Sequence, residues 1–170
     1  FSVQDSLIRM GPAVSEPLRR FLESGTGPAL APALQVAAGV ADARFLPAAE
    51  RLCADPLPAV RARAAELVGA AGGAIGVDVL TRLLDDADPG VRAAAVRSLG
   101  AMGHWPAGPA VARLLRDRAW DVRLASGLAL RRLGGPGQLL LRRALSDADP
   151  FAADMARQVL DLPGAPGGAS

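Results

Sequence analysis

Residues able to do chemistry are scarce in this chain, and most catalytic designs need more of them than it holds. His104 is the only histidine and Cys53 the only cysteine among 170 residues. A nucleophile–base relay requires the base within hydrogen-bond reach of its Ser or Cys. Cys53 lies far along the chain from His104, at a position where equivalent segments carry Leu84, Leu115 and Leu145, so it is expected in the core. One imidazole also falls short of the ligands that a transition-metal site built on histidine takes. His104, within Gly103-His104-Trp105, is expected to be a solvent-facing turn residue. Acidic pairs such as Asp85 and Asp86 stand at helix ends, where carboxylates cap, with no apolar surroundings to raise their pKa. Gly134-Gly135-Pro136-Gly137 lacks the following Lys and the preceding strand of a phosphate loop. No catalytic, metal-binding or cofactor-binding residues are expected.

The one regular arrangement of charge is a pair of columns. Asp55…Val60-Arg61, Asp86…Val91-Arg92 and Asp117…Val122-Arg123 recur at steps of thirty-one residues. Three arginines in register could form an anion track, yet each stands beside an Asp column at the start of a helix. Stacked units would bring each Arg to a neighbour's Asp, and a ladder of charge-assisted hydrogen bonds is the reading adopted.

A fixed period of this length means an array in which no unit buries its apolar face alone. The clearest unit runs from Gly76 to Gly103. Val79, Leu80, Leu83 and Leu84 recur at helical spacing, and Asp88-Pro89 offers an N-cap followed by a first-turn proline. Val91, Ala94, Ala95 and Leu99 stripe a second helix that Gly100 or Gly103 closes. Leu52, Val60, Ala64 and Val68 align with Leu83, Val91, Ala95 and Leu99, as do Leu114, Val122, Ser126 and Leu130. A fifth unit follows at thirty residues, with Leu145, Asp147 and Leu160, its Val-Arg pair replaced by Ala152-Ala153. An earlier unit places Leu18, Phe21 and Leu22 on its first helix and Leu34 and Val36 on its second, with Pro28 and Pro32 shortening or kinking its entry. The fold class predicted is all-α, a right-handed α-α superhelix of about five hairpins plus a leading helix. Its repeats span 12–40, 43–73, 75–103, 106–134 and 136–162. Residues 1–11 end a truncated repeat, the solenoid domain covers 1–163, and 164–170 form a flexible tail.

Composition agrees with a packed, soluble chain: hydrophobic residues make up 51%, enough for a sizeable core. The net charge is only +2, so the pI of 9.8 overstates basicity. All nineteen basic residues are Arg, with no Lys, Asn or Tyr, a pattern of codon bias in a GC-rich bacterial genome. A single cysteine fits a reducing compartment. No apolar run approaches a bilayer span, so this segment is expected to make no membrane contact. A start at Phe1 rather than Met is expected of a piece of a longer protein.

Leu-Leu-Asp-Asp-Ala-Asp-Pro-Gly-Val-Arg-Ala-Ala-Ala-Val-Arg-Ser-Leu-Gly-Ala-Met-Gly, Leu83 to Gly103, closely resembles the bacterial HEAT repeat of the short, phycobilisome-lyase-like type. The resemblance implies an α-α superhelix and, for most such arrays, a scaffold; only some subfamilies are enzymes. HEAT-repeat metal hydroxylases need several His-Glu pairs, which one histidine cannot supply. Trp120-Asp121-Val122-Arg123 and Asp149-Pro150-Phe151-Ala152-Ala153-Asp154-Met155-Ala156 resemble actinobacterial HEAT proteins with an N-terminal membrane helix. That resemblance implies a cytoplasmic domain tethered to the inner membrane by an upstream anchor.

The functional expectation falls on the second helices. Glu66, Arg97 and Leu128 follow the Ala62, Ala93 and Leu124 column by four residues and should line a concave face with Gln35, Arg131, Arg132, Asp154 and Gln158. Early repeats place Ala and charge there, whereas the fourth places Leu124 and Leu128 with Trp120 before them. Exposed apolar side chains beside Arg are the make-up of a protein-binding hot spot. The competing assignment packs Leu124 and Leu128 against the fifth repeat. The function read from this is non-enzymatic: a scaffold binding a protein partner around Trp120, Leu124, Leu128, Arg131, Arg97, Glu66 and Asp154. The rival is a nucleic-acid binder resembling HEAT-like alkylpurine DNA glycosylases. Small net charge, the absence of Tyr and the interruption by Glu66 argue against it, so no specific nucleic acid is expected. A phycobilin lyase rests on the repeat's name alone.

Overall fold

The structure is a computed structural model that describes residues 12–73 and 76–163. The leading segment 1–11 and the expected tail 164–170 lie outside the described residues. Ten α-helices are found among the described residues, paired as five hairpins: α1 (Pro12–Ser24) with α2 (Leu30–Val40), α3 (Leu46–Leu52) with α4 (Pro58–Ala71), α5 (Gly76–Leu83) with α6 (Pro89–Met102), α7 (Gly108–Arg113) with α8 (Trp120–Arg132), and α9 (Gly135–Ala144) with α10 (Pro150–Asp161). No strand occurs among the described residues.

Local chemistry sets the helix bounds. Pro58, Pro89 and Pro150 open α4, α6 and α10, where a missing N–H costs nothing. Asp88 and Asp149 cap α6 and α10, each Oδ1 accepting two backbone N–H groups of the first turn. Gly103, at φ 66°, closes α6 in the left-handed region where a Cβ would be strained. The first helices of the second and fourth hairpins are shorter than the periodicity predicts. Each is preceded by a 3-10 turn, Ala43–Phe45 or Trp105–Ala107.

The aligned apolar columns form one core. Leu52, Val60, Ala64 and Val68, and their equivalents through Leu130, are all buried. Second helices stack directly on one another, α2 on α4, α4 on α6, α6 on α8 and α8 on α10. Small residues make the contact close. A Cβ placed on Gly69 would lie 2.5 Å from the Ser98 Cβ, and one on Gly100 would lie 2.7 Å from the Ala129 Cβ. Both pairs sit at the same place in successive repeats. The buried Ser98 hydroxyl donates to the Ala65 carbonyl at 3.0 Å, so this polar group crosses the joint satisfied.

Two apolar assignments are corrected. Phe21, expected on the inner stripe of α1, is 40% exposed, because only Leu18 and Leu22, one turn apart, point inward. Leu145 is exposed although Leu84 and Leu115 in its column are fully buried, since no further hairpin among the described residues packs on the last loop.

Candidate functional site

The Asp and Arg columns meet across neighbouring hairpins. Arg61 donates from Nε and Nη2 to the Asp86 carboxylate, both at 2.8 Å. Arg92 repeats this on Asp117 at 2.7 and 2.8 Å. In each case Nη1 turns back to its own loop, Arg61 to the Asp55 carbonyl and Arg92 to the Asp86 carbonyl. The carboxylates also accept the backbone N–H of Asp88 and of Ala119. One arginine therefore clamps two consecutive loops. The Arg61 guanidinium holds the Asp86 carboxyl below the usual carboxylate range. Burial pushes the Asp117 carboxyl up, but the bonds from Arg92 and the Ala119 N–H outweigh it and hold it low as well.

The third rung does not form as the columns predict. Arg123 holds the carbonyls of Asp117 and Arg118, but Asp147 is bound by Arg116, at 2.8 Å from Nη2. The Arg123 guanidinium instead lies over the Phe151 ring, 4.8 Å from its centroid. The fifth hairpin follows at thirty residues instead of thirty-one, and this missing residue carries Asp147 out of register with Arg123.

Cys53 is buried, and burial pushes its thiol up to about 12. The thiolate needed for nucleophilic chemistry is therefore suppressed. His104 is half-buried instead of solvent-facing, set in a recess with Gly69, Gly73, Val77 and Met102. Among the described residues no three His, Cys, Asp or Glu side chains converge as a metal-ligand set.

On the second-helix face a groove of about 420 Å³ lies between α6 and α8. Ala93, Leu124, Ala125, Leu128 and Ala129 form its apolar floor, with Arg97, Asp121 and Arg132 at its margin. On α8 the lining residues follow the helical rhythm 121, 124, 125, 128, 129, 132, one continuous face. Leu128 is 38% exposed, so it is not buried against the fifth repeat. Leu124 is half-buried against the core. Ala93, expected at the surface, is buried and contributes only the bottom of the groove.

Several expected partner-binding residues stand elsewhere. Arg131 does not line the groove; it donates to the Pro163 carbonyl at 2.5 Å, while Arg132, one turn beyond Leu128, takes the marginal position. Trp120 is 53% exposed at the first residue of α8, but its neighbours Ala119 and Asp121 supply the lining. Glu66 lies one repeat away, hydrogen-bonded to Arg63 at 2.6 Å and to Arg97 at 3.4 Å. Asp154 is exposed on α10 and pairs with Arg157 at 2.7 Å. Asp121 was missed by the sequence reasoning, although counting back three from Leu124 reaches it.

No helix of the described residues is long and apolar enough to cross a membrane. No curated protein matches the sequence. Among solved structures the chain is similar to the complex of CpcE and CpcF of phycocyanin lyase from Nostoc sp. PCC7120, with a TM-score of 0.65 and 20% identity over 92% of this chain and 69% of that one. It is also similar to a designed armadillo repeat protein in complex with the peptide (KR)4, with a TM-score of 0.60 and 20% identity over 92% of this chain and 84% of that one. At such identities the likeness is one of fold. A family model for HEAT repeats matches residues 77–161, half of the sequence. With its buried columns, stacked second helices and interhairpin Asp–Arg clamps, the chain belongs to the HEAT-repeat family.

Proposed function

We propose that this chain is a non-catalytic scaffold that takes a segment of a partner protein in the groove between α6 and α8. The observation that carries the reading is Leu128: a large apolar side chain more than a third exposed on the floor of a groove lined also by Arg97 and Arg132. Exposed leucines contribute little to folding, and an anchor flanked by arginines is the usual make-up of a binding hot spot. A similar fold bound to a peptide in the designed armadillo protein lends support. The single buried cysteine suits a cytoplasmic setting, which belongs to the same proposal.

The test is Leu128→Glu in the full-length protein expressed in its own host. Partner recovery should fall sharply while the melting temperature of the purified chain stays within a degree or two, about the shift of a neutral surface substitution. Retention of the partner, or unfolding of the C-terminal hairpins, overturns the reading.

A further inference from the structure

Resting on that docking site, we infer that the groove selects an acidic, aliphatic segment: apolar side chains over Leu124 and Leu128, carboxylates toward Arg97 and Arg132. Charge complementarity favours such a segment at two scales. Across the chain, residues 106–144 hold eight of the nineteen arginines and only two of the seventeen acidic residues. Within the groove, α6 and α8 run in the same direction, so repeat register sets Arg97 level with Leu128. Arg132 follows one turn later. Both cations thus stand toward one end of the floor, and Asp121 stands at the other, about 16 Å from Arg132 and about 10 Å from the level of Arg97 along α8.

Neither cation is firmly engaged. Arg132 is exposed and makes no hydrogen bond or ion pair to another described residue. Arg97 has only the 3.4 Å contact to Glu66, with the Arg side chain 55% exposed. Glu66 itself bonds more closely to Arg63, at 2.6 Å. An incoming carboxylate that approaches Arg97 therefore displaces a weak internal competitor, leaving Glu66 with its better partner. A basic segment would meet two like charges at that end. Its attractions would be Asp121, a single exposed residue at the far end, and Glu66, whose carboxylate is already held by Arg63 and Arg97.

The test is selection of a phage-displayed random peptide library on the immobilised chain, followed by fluorescence anisotropy with the recovered peptides. Recovered sequences should combine Asp or Glu with Leu, Ile or Phe. Replacing their carboxylates by amides should weaken binding about tenfold, as expected for a lost charge-assisted pair. The double variant R97E/R132E should lose these peptides and recover Lys- and Arg-bearing ones instead. Glu66→Gln should tighten acidic peptides severalfold, because it releases Arg97. Recovered peptides that lose binding to Leu128→Glu but are indifferent to the amide replacement and to R97E/R132E would leave the docking site standing and overturn its charge selectivity. Recovery of no peptide sensitive to Leu128→Glu would overturn both.

Discussion

Arg92→Ala is the sharpest test of the physical reasoning, because the structure fixes what each atom of that side chain holds. Its guanidinium makes a two-point contact with Asp117 and two further bonds to the carbonyls of Asp86 and Ala87. The pair is sheltered, with the Arg side chain 16% and the Asp side chain 7% exposed. A hydrogen bond involving a charged group contributes about 1.5–3 kcal/mol, and stranding one partner of a buried pair costs about 3–5 kcal/mol. Asp117 would keep the Ala119 N–H, which softens the loss, so about 2–4 kcal/mol is expected. Urea denaturation followed by circular dichroism measures it. Arg97→Ala is the control: its contact with Glu66 is long and exposed, and about 0–1 kcal/mol should be lost. The double variant R92A/D117A should recover part of the single-variant loss, since no carboxylate is then left alone. The sign with pH is fixed too. The folded carboxyls of Asp86 and Asp117 lie below their unfolded value of about 3.9. Their contribution is therefore full above that pH and disappears as pH falls through the lower folded values. The variant should show a flatter acid limb than the parent. A loss for Arg92→Ala no larger than that for Arg97→Ala, or an unchanged acid limb, would refute the clamp as a source of stability.

Three further outcomes follow from the geometry. Gly100→Ala places a methyl 2.7 Å from the Ala129 Cβ and 2.9 Å from its Cα. Overpacking of about 1–3 kcal/mol should outweigh the gain of about 1 kcal/mol in helix propensity, and a raised melting temperature would contradict the close joint. Ala41, which ends α2 at φ 53°, holds an L side chain in the left-handed region, so Ala41→Gly should stabilise by about 1 kcal/mol, read from the shift in urea midpoint. Duplex DNA should bind weakly, with a shallow salt dependence by anisotropy, because many arginines are internally paired; sub-micromolar affinity at physiological salt would reverse this.

The repeat columns were legible because a stacked array imposes the same environment at a fixed step, so Val60, Val91 and Val122 had to share one fate. The two formed rungs were legible for the same reason. What the columns hid lies where the period slips or where two neighbours on one helix diverge. A single residue missing between Asp117 and Asp147 puts Arg116 in the place of Arg123 on Asp147, a slip in register that residue type does not reveal. Arg131 and Arg132 are chemically identical and adjacent; about 100° of helical rotation sends one to Pro163 and the other to the groove. Trp120 looked like an anchor by composition, but it is not among the residues that line the groove, which at that end are its neighbours Ala119 and Asp121. Arg132 was already among the residues expected on that face; helical counting from Leu124 would have added Asp121.

The lost third rung has a mechanical meaning. Arg61 and Arg92 fasten hairpin to hairpin through sheltered pairs, whereas the last hairpin hangs on Arg116–Asp147, with the arginine 59% exposed, and on the Phe151 stack. In an array whose cohesion passes only between neighbours, the weakest joint sets where opening begins. Amide exchange should accordingly begin in α9 and α10 while α4 to α8 stay shut, and water should reach the α8–α10 joint first. The groove lies inside the slower block, so the C-terminal end should fray many times over without opening the groove between α6 and α8.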